Sequence, residues 1–167
     1  MRKLLDLGIA ITMALAMVAS QSGVANAATV VARVSGGGMA VMLDGMGDSS
    51  FGFEATLYSD GTARGHFDCV DQVGDAPGYP GNIFGAITRW SRNADSTINL
   101  YVTDAKLVSI PNGLVIPGGL PFTVTILAYG GAGVGHWTLA VPGVPSPRGG
   151  PICDELLTSG QIAIRWN

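Results

Sequence analysis

FGFEATLYSDGTARGHFDCV, residues 51–70, is the stretch whose reading decides the fold. Asp60-Gly61 between alternating apolar residues signals a β-hairpin, and two turns fit it. A two-residue loop pairs Ser59 with Thr62. Phe53, Ala55 and Leu57 then oppose Asp68, His66 and Arg64, so apolar and charged side chains share a face. A three-residue loop, a type I turn closed by Gly61 in the left-handed conformation, pairs Tyr58 with Thr62 instead. Phe51, Phe53, Ala55 and Leu57 then share one face with Ala63, Gly65, Phe67 and Cys69. Glu54, Thr56 and Tyr58 share the other with Thr62, Arg64, His66 and Asp68. A one-residue slip moves every side chain of a strand to the opposite face, so this segregation selects the three-residue loop. It turns Cys69 into the core and sets Glu54 opposite His66.

Upstream, Arg2 and Lys3 precede an apolar run, Leu7 through Ala19, that ends in Gln21-Ser22 and Ala25-Asn26-Ala27. A basic start, an apolar core and a small-x-small ending describe a secretory signal peptide over residues 1–27. The run is short for a transmembrane anchor. The expectation is one all-β domain over 28–167 that is secreted, or periplasmic where an outer membrane exists, with no stable membrane insertion after cleavage. Without Arg2, Lys3 and Asp6, seven basic and eleven acidic side chains remain, a formal charge of −4. That balance argues against a nucleic-acid partner, which wants a basic face.

Two cysteines in an exported chain read as one disulfide, Cys69 to Cys153. It would close a loop of roughly 80 residues and contribute about 2–4 kcal/mol. The alternative, free thiols at a metal or redox site, has no CxxC spacing to support it.

The rest of the chain alternates in short runs. Val30 to Val34 form a first strand, broken at Ser35-Gly36-Gly37-Gly38, and Met39, Val41 and Leu43 resume it. The glycines read as a bend between strand segments, since neither a GxxxxGK[ST] pattern nor a helix is present. Residues 71–82 form the longest patternless stretch. Ile83 to Trp90 and Thr97 to Val108 make a second hairpin turning near Asn93-Ala94-Asp95, and residues 111–121 form a loop. Phe122 to Ala128, Trp137 to Val141 and Ile162 to Trp166 complete the set, with a short helical turn expected at Asp154 to Leu157. About eight antiparallel strands without an amphipathic helix make a closed barrel or a two-sheet sandwich. Small inward residues (Ala32, Ala55, Gly65, Gly85) favour the strong coiling of a barrel, closed by the last strand against the first.

Candidate sites follow from charge and position. Glu54 opposite His66 is either a general-base pair or a solvated cross-strand pair. Asp44 with Asp48, or Asp68 with Asp71 and Asp75, has oxygen ligands for calcium but no EF-hand spacing. Asp71, Asp75 and Tyr79 lie in or beside the long loop and make it a binding candidate. Arg89 and Asp104 share the parity of inward apolar residues, which points either to a polar pocket or to bulges at strand ends. His136 reads as a half-exposed residue at a strand end. Tyr58, Tyr79 and Trp90 would serve a glycan or protein surface. No catalytic motif and no cofactor motif is present.

With SGGG at Ser35, FGF at Phe51 and DGT-x-x-GHF at Asp60, the chain resembles small exported bacterial all-β domains. That resemblance implies an all-β fold and a bacterial exported setting, and it carries no activity. The functional expectation is a secreted, non-catalytic binding domain for a small molecule, a glycan or a protein. Its rival is a barrel enzyme or small-molecule carrier with a pocket at one barrel end.

Overall fold

Nine strands and no helix make up the described part of the computed structural model, residues 27–43, 45, 47–72, 81–109, 115–128, 131–143 and 150–167. They are β1 (Val30–Met42), β2 (Asp48–Tyr58), β3 (Thr62–Asp71), β4 (Gly81–Arg92), β5 (Ile98–Ser109), β6 (Val115–Leu127), β7 (His136–Ala140), β8 (Cys153–Leu157) and β9 (Gln161–Trp166). Each strand from β1 to β7 pairs antiparallel with the next, and β8 pairs back onto β1, closing an eight-stranded barrel with β9 as the extra strand. The sandwich alternative is thereby excluded.

The deciding hairpin has the three-residue loop. Leu57 pairs with Ala63, Phe53 with Phe67 and Glu54 with His66, and Gly61 has φ +80°. The apolar face that this register creates lines the barrel. Phe67, Leu57, Phe122, Ile126 and Leu139 are buried there, and Trp137 packs 5.2 Å from Phe51 and 5.6 Å from Phe67 between ring centroids. A barrel of eight strands is just narrow enough for side chains to fill it, and these do.

The first strand differs from expectation. It runs unbroken through Gly36-Gly37-Gly38, with β2 along one whole edge and β9, then β8, along the other. β8 and β9 run in the same direction along β1, separated by a kink at Thr158-Ser159-Gly160. The glycines serve that kink: a Cβ on Gly38 would run into the Ser159 carbonyl, and one on Gly160 into the Gly37 carbonyl. They are a close-approach device inside a strand, not a bend between two.

Two other expectations are corrected. Residues 154–157 are strand, not a helical turn, because Cys153 and Glu155 face inward with Leu157 in a period of two. Residues 115–121 belong to β6, despite Pro117 and Pro121. β7 reaches β6 only from Thr123 onward, so these prolines sit along a half-strand with β5 on one side only. A missing N–H is tolerated at such an edge.

The expected Cys69–Cys153 disulfide is absent: both cysteines are free thiols, and both are buried. The parity argument that turned Cys69 inward holds, and β8 turns Cys153 inward to meet it. Their meeting is a thiol–thiol hydrogen bond. That bond, then burial, pushes the Cys153 thiol well above its ordinary range, with the negative charges of Glu155 and Asp71 adding to the shift.

Candidate functional site

The outer wall of β9, β1, β2 and β3 carries the most distinctive charge arrangement. Arg33 pairs across from Arg165 on one side and Thr56 on the other, and Thr56 pairs with Arg64. The four residues make one row across four strands, about 14 Å long at the usual strand spacing. All three arginines point outward and are exposed. They are three of the nine basic residues in a chain of formal charge −3.

The row is not neutralised. Among the described residues no carboxylate lies within ion-pair distance of any of the three guanidiniums. Arg33 Nη1 donates a long 3.4 Å hydrogen bond to Thr56 Oγ1. A shallow groove of about 340 Å³ runs over the row, lined also by Ser35 and by Glu54, its one carboxylate.

The residues singled out from sequence fall as follows. Glu54 and His66 are cross-strand neighbours one step along from the arginine row, both exposed, and no hydrogen bond joins them. Arg89 and Asp104 point outward. Register irregularities between Ile87 and Arg89, and between Val102 and Ala105, reset the parity that had aimed them at the core. Asp104 instead accepts a hydrogen bond from the Gly119 amide, pinning the β6 half-strand. Asp71 is half-buried at the end of β3, while Asp75 and Tyr79 lie outside the described residues, as does Asp44. Among the described residues no three ligating groups gather to hold a metal ion, so the calcium sets have no geometric support there. Tyr58 and Trp90 are half-buried and tied together, Trp90 Nε1 donating to the Tyr58 carbonyl at 2.8 Å.

Three features were not foreseen. The arginine row needs β1 joined to both β2 and β9, and its members are distant in sequence, although each reads as outward by alternation. His136 pairs with Asp154 at 2.5 Å on the outer wall. Glu155 is buried at one end of the barrel, 2% exposed, accepting a hydrogen bond from the buried Ser49 hydroxyl. Nearby on the same inner face, the Trp137 indole N–H is buried without a partner. Among the described residues, the other buried side chains are apolar apart from Ser109.

No family model, no curated protein and no solved structure matches this chain.

Proposed function

We propose that this chain is an exported, non-catalytic binding domain that takes an anionic partner on its outer wall, along Arg165, Arg33 and Arg64. The observation that carries this reading is the unneutralised arginine row on an otherwise acidic protein. Guanidinium forks are the preferred receptors for carboxylate and sulfate oxygens. An anion lying across them relieves their repulsion in the free protein.

Less supports the rival, a carrier or enzyme with a pocket at one barrel end using Arg89 and Asp104 or His66 and Glu54, since all four side chains are exposed on the outer wall. Phe53, Phe67, Ile126 and Leu139 are buried inside the barrel, which favours a surface site over an interior one. Among the described residues the outer wall carries Arg33, Glu54, Arg64, His66 and Lys106 and no apolar band of the kind that a lipid-facing barrel requires, which supports an aqueous role.

The test is retention of the purified mature protein on immobilised poly-glutamate at low salt, against poly-lysine. Retention on poly-glutamate that weakens with salt and falls in the Arg33→Gln/Arg64→Gln variant is the expected result. Equal retention of wild type and variant would overturn the reading.

A further inference from the structure

We propose that the outer edge of β9 is a strand-addition site for an extended protein segment in which apolar and acidic residues alternate. The Asn167 amide donates to the Val31 carbonyl at 3.0 Å, in register with the Arg165–Arg33 pairing. Residues 161, 163, 165 and 167 therefore bond to β1. In an antiparallel ladder the intervening residues aim their N–H and C=O groups the other way, so those of Ile162, Ile164 and Trp166 point to the opposite edge. Among the described residues no strand pairs with that edge.

Open edges are normally blunted, and β6 shows how: Pro117 and Pro121 occupy its half-strand beyond β7. β9 has no proline and a regular register. Its edge faces a groove of about 610 Å³ that is also lined by Arg92, Ser96, Ala128 and Gly131. Trp166, 46% exposed, closes one end and holds Arg92 4.9 Å above its ring.

The chemistry of the incoming strand follows from alternation. Residues beside Ile162 and Ile164 on the inner side must be apolar. Residues beside Arg165, on the outer side, meet its guanidinium and no lining carboxylate, so they should be acidic. A second copy of β9 would instead bring another Arg165 to the same edge, which disfavours self-pairing. Main-chain bonds supply affinity and the alternate side chains supply selectivity, as in other strand-addition complexes. The acidic preference rests on the anionic-partner reading above; the strand geometry does not.

The probe is an end-capped, dye-labelled peptide of four Val-Glu repeats, read by fluorescence anisotropy. It should bind about tenfold or more tightly than the Val-Lys repeat, and N-methylation of its alternate, edge-facing amides should cost about fivefold for each hydrogen bond removed. Ile164→Pro removes one outward N–H while sparing the bonds to β1, and should weaken binding about fivefold with the circular dichroism unchanged. Equal binding by the Val-Lys or the N-methylated peptide would overturn the proposal, and these two arms use the wild-type protein, so misfolding of the variant cannot obscure the result. A dimer in sedimentation that Ile164→Pro dissolves would replace the peptide with a second copy. Arg33→Gln/Arg64→Gln should leave peptide affinity intact while abolishing poly-glutamate retention, which separates failure of the strand site from failure of the arginine row.

Discussion

Arg33 of β1 stands directly across from Arg165 of β9, two exposed arginines with no carboxylate among the described residues to bridge them. Like charges in direct cross-strand register are destabilising by about 0.2–1 kcal/mol. The pair sits where β9 meets the barrel, so its repulsion falls on the strand least supported by neighbours.

Arg165→Glu should therefore move stability and binding in opposite directions. Thermal and urea unfolding at low salt should show a gain of about 0.2–1 kcal/mol, shrinking as salt screens the pair. Poly-glutamate retention should fall in the same protein. A variant that loses stability would mean that the arginines are not in repulsive contact.

A second prediction compares the two hairpin turns. Asp60-Gly61-Thr62 and Asp95-Ser96-Thr97 share one geometry. Each aspartate accepts from the threonine amide, at 2.9 and 3.0 Å, and from its hydroxyl, at 2.6 and 2.7 Å. The middle residue is left-handed in both, φ +80° for Gly61 and +73° for Ser96. Serine has a Cβ penalty there that glycine lacks, partly offset by glycine's greater freedom when unfolded. Ser96→Gly should stabilise by about 0.5–1 kcal/mol in urea unfolding, and Gly61→Ser should destabilise comparably. The threonine bonds hold both carboxyls below their usual range. With the folded value depressed, their contribution is present above about pH 4 and is lost as pH falls through the lowered values. Asp60→Asn should flatten that acid limb.

Most of the barrel was legible in the sequence because period-two alternation and turn residues are local signals. Ser59-Asp60-Gly61 and the segregation of Phe53 from Glu54 sufficed to place the central hairpin. What failed was non-local. Ser35 to Gly38 looked like a break because its need for glycine comes from Ser159 and Gly160, more than a hundred residues away. Pro117 and Pro121 looked like loop residues because only the short reach of β7 leaves their edge open. Arg89 and Asp104 stay open between a pocket and bulges, because bulges change parity without a clear local signature, and the structure has the bulges. The arginine row was invisible as a group, although each member's direction could be read.

Third, the tight contact inside the hairpin can be tested with two glycines. A Cβ on Gly65 would collide with the Glu54 carbonyl and lie 2.6 Å from Ala55, whereas one on Gly52 would meet nothing closer than Asp68 Oδ1 at 3.9 Å. Neither has a positive φ, so contact alone distinguishes them. Gly65→Ala should cost about 1–3 kcal/mol through forced backbone shifts. Gly52→Ala should be neutral or stabilising by up to about 1 kcal/mol, since alanine has less freedom to lose. Equal urea midpoints for the two would sink the close-approach argument.

The last prediction concerns the thiols. Cys69 and Cys153 are 1% and 5% exposed and unbonded, so iodoacetamide should leave the native protein untouched and label two cysteines once urea unfolds it without reductant. A single label or none would mean that the sulfurs had reacted already. The raised Cys153 thiol also sets an alkaline limit on stability. Unfolded, it ionises near about pH 8.5, while the folded form keeps its proton well beyond that. Between those values the unfolded state binds fewer protons, so stability is fully present below about pH 8.5 and falls as pH rises, by at most about 1.4 kcal/mol per pH unit. Cys153→Ala should start lower, because a buried sulfur is gone, but its alkaline limb should be flatter. Parallel limbs in the two proteins would show that another group governs the loss, and the hydrogen-bonded thiol pair would then have no part in the pH response.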